Sequence, residues 1–157
     1  MKIAVSSTIG SGLTELSAFD NALYKSGVGD HNIVHLSSVI PLGAHISRKC
    51  VDLNDQFQGD RVYGVYAKKS TDTRGMSVSA GLGWVTTTDN PTWGLFVEHV
   101  GHTEKEIIEQ IENSLTSMMR YRDAYTWSNI EHQIITATCE KEPICALALA
   151  VYQRESW

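Results

Sequence analysis

Two adjacent serines, Ser37 and Ser38, interrupt the apolar run Asn32-Ile33-Val34-His35-Leu36-Ser37-Ser38-Val39-Ile40-Pro41. Val34, Leu36, Val39 and Ile40 favour a strand over residues 32–40, and Pro41 ends its ladder because it has no N–H to donate. A hydroxyl in such a place can do chemistry on its own backbone. The Ser38 Oγ can attack the carbonyl carbon of Ser37 and turn the amide between them into an ester. β-Elimination then leaves dehydroalanine at 38, and hydrolysis releases ammonia and leaves a ketone, a pyruvoyl group, at the new chain end. Amides hydrolyse slowly, so this route requires a strained or polarised bond, a positioned nucleophile and donors aimed at the oxyanion on Ser37. A Ser-Ser dipeptide by itself is common, and its ordinary use is a plain turn at a strand end.

The neighbouring blocks shift that balance. Ala18-Phe19-Asp20-Asn21-Ala22-Leu23 precedes the serine run, and Ala80-Gly81-Leu82-Gly83 and Gly94-Leu95-Phe96-Val97-Glu98-His99 follow it. With these blocks in this order, the chain resembles the pyruvoyl-dependent arginine decarboxylase family over nearly its whole length. The resemblance implies one domain, 1–157, that cleaves itself at Ser37/Ser38 into a short chain, 1–37, and a pyruvoyl-bearing long chain, 38–157. It implies decarboxylation of L-arginine to agmatine and carbon dioxide, with a covalent cofactor made from Ser38 and no metal. The ketone is an electron sink in the role pyridoxal phosphate plays elsewhere, so no cofactor lysine is needed. Ornithine or histidine would suit the same ketone, and a relative that never cleaves would only bind a small molecule or assemble.

Three further residues take roles from the resemblance. Glu98 matches the catalytic glutamate, the acid that protonates the α-carbon after carbon dioxide leaves. It lies on an apolar strand, a setting that favours the protonated carboxyl; an outward-facing strand glutamate is its bland alternative. Asp20, on the first helix, matches the aspartate that meets the guanidinium, which a carboxylate can hold by paired hydrogen bonds. A solvated helix-face aspartate is the alternative there. Asn32 matches the asparagine five residues before the serine pair and is the self-processing candidate, although residues five apart on a strand face opposite sides. The family resemblance also implies a homotrimer of two-chain protomers, with Asp20 and the ketone drawn from different protomers. Its product would feed polyamine synthesis or acid resistance.

Composition sets the frame. The 157 residues carry a net charge of −5, with 42% hydrophobic and 20% charged residues, as expected for one globular domain. The acidic balance and the lack of any basic cluster beyond Lys68-Lys69 argue against a nucleic-acid partner. No apolar run approaches the roughly 20 residues needed to span a bilayer, and the first residues are too short for a signal-peptide core. Cys50, Cys139 and Cys145 are odd in number and lack metal-type spacing. The expectation is a cytoplasmic protein with a small-molecule amino-acid substrate and no membrane or nucleic-acid partner.

The elements follow from periodicity. Strands are expected over 2–7, 32–40, 61–69, 75–87, 93–100, 129–139 and 144–153, with turns at Gly10-Ser11-Gly12 and Thr88-Asp89-Asn90-Pro91. Thr14 caps a first helix carrying Leu16, Phe19 and Leu23 on one face, which Gly27 stops. Thr103 and Glu106 form a capping box for a second helix, striped by Ile107, Ile108, Ile111, Leu115, Met118 and Met119. The last strand, apolar on both faces, should be central. The stretch from Pro41 to Gly59 reads as a surface loop, and the small segment Ser79–Gly83 suits either a close backbone approach to a ligand or a bulge. The whole predicts an α+β fold, a layered αββα-type sandwich of mainly antiparallel sheets with outer helices.

Other signals are weak. Gly10-Ser11-Gly12-Leu13-Thr14-Glu15 has Glu where the third glycine of a dinucleotide loop belongs. The order Glu98-His99-x-x-His102 differs from the helical zinc motif and falls at a strand end. Gly75-Met76-Ser77-Val78-Ser79 lacks the second glycine of a nucleophile elbow.

Overall fold

Strand side chains alternate between two faces, so strands that are apolar on both faces need a covering layer on each side. A computed structural model, describing residues 1–51, 53 and 57–157, shows that arrangement. The first sheet has the order β2 (Asn32–His35), β5 (Arg61–Thr71), β9 (Ile144–Glu155), β1 (Lys2–Ser11), β4 (His45–Ser47). The second runs β3 (Val39–Ile40), β7 (Gly94–Gly101), β6 (Ser77–Thr86), β8 (Glu131–Thr138). Most pairs are antiparallel; β1 with β4 and β2 with β5 are parallel.

Helix α1 (Glu15–Lys25) covers the outer face of the first sheet, setting Ala18 and Ala22 against Leu147, Leu149 and Val151. Helix α2 (Glu104–Arg120) covers the second, with Ile107, Ile111 and Leu115 against Val85, Leu95 and Val97. Between the sheets, Ile3, Val5, Val65, Ala148 and Ala150 meet Ile40, Leu82, Trp84 and Phe96. The expected αββα sandwich is therefore the observed fold, and β9 is central in its sheet.

Both helices start at the expected threonines, but the reciprocal capping box forms at Thr14 with Ser17, while Glu106 turns its carboxylate to the His102 N–H at 2.8 Å. Thr14 Oγ1 accepts the Ser17 N–H at 3.1 Å, and Thr103 Oγ1 accepts the Glu106 N–H at 3.2 Å. Gly27 stops the first helix with φ of 83°. Leu16, however, is exposed, because the buried face of α1 is built on Ala18 and Ala22.

Several expectations change. The first strand runs on through Gly10 to Ser11, so no turn forms there. The loop after Pro41 contains β4, paired with the start of β1; residues 52 and 54–56 of that stretch lie outside the described residues. The glycines of β6 serve packing against α2: a Cβ at Gly83 would lie 2.1 Å from Ile111 Cγ2. The register of β6 with both neighbours is continuous, without a bulge.

The largest change concerns the serines. Residues 32–40 are two strands in different sheets. The Leu36 N–H donates to Gly64 O at 2.9 Å, the last bond to the first sheet. The Ser38 carbonyl accepts the Phe96 N–H at 2.8 Å, the first bond to the second. Ser37 and Ser38 thus form the crossing between sheets.

Candidate active site

Changing sheets within two residues forces an unusual backbone turn. Ser38 makes it with φ of 68°, the left-handed region, shared among the described non-glycine residues only with Phe57. For an L-residue with a Cβ this conformation costs roughly 1–2 kcal/mol. Ser37 is exposed and Ser38 half-buried.

Strand β7 supplies the partner. Leu95 and Val97 point at α2, which turns Phe96 and Glu98 toward the first sheet. The Ser38 Oγ donates a hydrogen bond to Glu98 Oε1. One strand therefore holds Ser38 twice, by a backbone amide at its carbonyl and by a carboxylate at its hydroxyl. A hydroxyl bonded to a carboxylate has a built-in acceptor for its proton when it acts as a nucleophile.

Tyr152, inward-facing on β9, closes the group from the opposite sheet. Its hydroxyl donates to the Val39 carbonyl at 3.2 Å, and its ring lies 6.2 Å from that of Phe96. Burial pushes the Tyr152 phenol far above its ordinary range, and the negative charge of Glu98 adds to the shift. Tyr152 is therefore a donor at neutral pH. Beside the crossing opens a cavity of about 370 Å³, lined by Leu36, Pro41, Tyr63, Tyr152 and Glu155 among others.

The other candidates lie elsewhere in the protomer. Asn32 is exposed at the start of β2, where its Nδ2 donates to Gly59 O at 2.6 Å. Asp20 is exposed on α1, across the first sheet from the space between the sheets. One chain brings Ser38 and Glu98 together and leaves Asn32 and Asp20 apart from them. His99 and His102 diverge. His99 Nε2 is 2.9 Å from Ser114 Oγ on α2, and burial lowers its pKa against the opposing charge of Glu98. His102 meets Ser77 O and Lys69 Nζ.

Sequence reasoning missed Tyr152 and the Phe96 amide. The available signal for Tyr152 was a phenol following an Ala-Leu alternation, on the inward phase. The Phe96 amide has none, since every residue but proline carries one.

A left-handed serine whose hydroxyl is seated on a carboxylate, between two sheets, sets a nucleophile and an acceptor for its proton beside a backbone bond. The comparisons with known proteins name the family. Residues 2–156 match the model of the family described as pyruvoyl-dependent arginine decarboxylase, and the chain belongs to that family. A protein of Thermococcus kodakarensis named pyruvoyl-dependent arginine decarboxylase is 38% identical over 143 residues, covering 89% of this chain and 87% of that protein. One of Pyrococcus abyssi with the same name is 36% identical over 148 residues, with 89% and 87% covered. A third, from Methanothermobacter thermautotrophicus, is 30% identical over 150 residues, with 96% and 93% covered. Among the described residues no helix is long and apolar enough to cross a membrane.

Proposed function

We propose that this chain cleaves itself between Ser37 and Ser38, and that the product decarboxylates L-arginine to agmatine and carbon dioxide. The observation that carries this reading is Ser38 itself, held left-handed with its hydroxyl on Glu98. The relatives named as pyruvoyl-dependent arginine decarboxylases supply the substrate.

For cleavage, Glu98 takes the Ser38 hydroxyl proton as Oγ bonds to the Ser37 carbonyl carbon. The carbon–nitrogen bond between the serines breaks as Glu98 returns that proton to the Ser38 nitrogen, which leaves as a free amine, and the acyl group of Ser37 passes to the Ser38 oxygen. Loss of the Ser38 α-proton and departure of the Ser37 carboxylate release chain 1–37. Water then replaces the nitrogen on residue 38, and ammonia leaves. The residues present fit the product: the carbonyl bonded to the Phe96 N–H lies beyond the scissile bond, so that contact does not depend on Ser37. The pyruvoyl group supplies an electron sink for the pair released with carbon dioxide. Glu98, freed from the hydroxyl, holds the proton that the α-carbon of the substrate then receives.

Asn32 and Asp20 act across a subunit boundary in this reading, in a homotrimer of two-chain protomers. Extended strand advances about 3.3 Å per residue, so β2 holds Asn32 some three steps below His35, out of reach of the Ser37 carbonyl of its own chain. The Asn32 amide of one protomer then serves the Ser37 oxyanion of the next, and Asp20 meets the substrate guanidinium. The setting is the cytoplasm, where agmatine would enter polyamine synthesis or acid resistance.

Intact mass of freshly purified protein tests the reading. Two fragments broken at Ser37/Ser38, the larger blocked to Edman sequencing, are expected, together with carbon dioxide release from arginine above that from ornithine or histidine. Active protein retaining an unmodified Ser38 refutes it.

A further inference from the structure

We infer that Tyr152 is a positioning residue for self-cleavage, acting through the Val39 carbonyl; this rests on the reading that Ser38 attacks Ser37. In an antiparallel ladder alternate residues exchange hydrogen bonds with the neighbouring strand. The Ser38 carbonyl takes the Phe96 N–H, so Val39 falls in the non-bonded phase opposite Leu95. β3 is also the edge of its sheet, so the Val39 carbonyl faces away from every strand of that sheet. Tyr152 reaches it from the other sheet at 3.2 Å.

Two consecutive carbonyls are therefore held from opposite sheets, Ser38 by a backbone amide and Val39 by a phenol. With the chain after Ser38 fixed at both points, the turn between the sheets falls on the bond before the Ser38 Cα. That bond is the one in the left-handed conformation. The Tyr152 ring is wedged beside Phe96 in the inter-sheet core, so the donor itself has little freedom. Glu98 has its own bond, to the Ser38 hydroxyl. The phenol stays protonated because burial and the Glu98 charge both oppose its ionisation.

The test is the rate at which uncut chain becomes cut, followed by intact mass in full-length Tyr152→Phe and in a variant carrying 4-aminophenylalanine at 152. Phenylalanine keeps the ring and its packing and removes only the donor. Cleavage is expected to slow about ten-fold, which corresponds to about 1.4 kcal/mol of barrier. The 4-amino group returns a donor at the same place and should recover most of the rate; a purely structural ring would show neither effect. Hydroxylamine, which cuts esters, should leave the Tyr152→Phe rate low, because the defect precedes ester formation. Wild-type cleavage in Tyr152→Phe, failure of the amino variant to recover a slowed rate, or full rescue by hydroxylamine overturns the assignment. Should Tyr152→Phe not fold, the amino variant is compared with wild type, and a folded amino variant cleaving ten-fold more slowly overturns it equally. An uncut wild type overturns the proposed function first, and this inference with it.

Discussion

Glu98→Gln separates the two duties assigned to one carboxylate. Glutamine has nearly the same shape and keeps an oxygen that can accept the Ser38 Oγ hydrogen, so the crossing and the core around Phe96 should persist. What changes is charge and basicity. A hydrogen bond to a charged group contributes about 1.5–3 kcal/mol and a neutral one about 0.5–1.5, so the seat of the hydroxyl weakens by roughly 1 kcal/mol. That alone is worth about five- to ten-fold in positioning. Loss of the proton acceptor is the larger effect, since general acid–base catalysis by a placed side chain contributes about 100- to 10,000-fold. Cleavage of Glu98→Gln should therefore slow by at least about 100-fold, followed by intact mass over days. The fraction that does cleave should then decarboxylate arginine at least about 100-fold more slowly, per pyruvoyl-bearing chain. Cleavage at the wild-type rate would show that the Ser38–Glu98 contact is not used in self-processing. Full turnover by the cleaved variant would remove Glu98 as the proton donor.

Other substitutions address the remaining parts. Ser38→Ala and Ser38→Gly should both block cleavage and activity, but the glycine variant should be the more stable of the two by about 1 kcal/mol, because only alanine bears the left-handed penalty; equal denaturation midpoints refute the strain. Asp20→Ala should raise the KM for arginine at least about ten-fold and leave cleavage unchanged, and an unaltered KM removes its assignment. Co-expressed Asp20→Ala and Ser38→Ala chains should regain activity in mixed oligomers, since each supplies what the other lacks; silence of the mixture shows that Asp20 does not act across protomers. Asn32→Ala should slow cleavage about 100-fold if its amide is the oxyanion donor, and wild-type mass spectra over time would leave Asn32 as the strand-start residue bonded to Gly59 O.

The layers were legible in the chain because period settles them. The unbroken apolar run of Ile144–Tyr152 specifies a strand covered on both faces, the stripe Ile107, Ile111, Leu115 specifies one helix face, and caps at Thr14 and Thr103 mark where the helices begin. The split of residues 32–40 was not legible. Val34, Leu36, Val39 and Ile40 satisfy strand preference whichever sheet they join, and partner choice is a long-range matter that local propensity does not record. The same limit applied to Ser79–Gly83, whose small residues reflect the bulk of Ile107 and Ile111 arriving from another element. Within the site, the face of Glu98 was not legible, because Leu95, Phe96 and Val97 make β7 apolar on both faces, and its meeting with Ser38 follows only once Ser38 lies at the crossing. Asp20 and Asn32 drew their roles from resemblance alone, and a single protomer sets them apart from Ser38.

The position of the serines reconciles a fold that must survive with the proposed breaking of a bond inside it. The left-handed cost at Ser38 is carried by the torsion about the nitrogen–Cα bond. In the proposed reaction that nitrogen is lost as ammonia, so the strain disappears with the bond and favours the cut state by roughly 1–2 kcal/mol. The contacts that hold the crossing lie on the other side: the Phe96 amide bonds the residue-38 carbonyl and Tyr152 bonds Val39, and neither touches Ser37. The short chain, for its part, keeps β1 between β9 and β4, with Ile3 and Val5 in the core and eight residues in register with β9. It also keeps α1 packed on the first sheet. The proposed cut therefore falls where the chain passes from one sheet to the other, and the short chain stays in place by pairing β1 with β9 and β4 and β2 with β5, all strands of the long chain, so the peptide between the serines adds little to holding the two together.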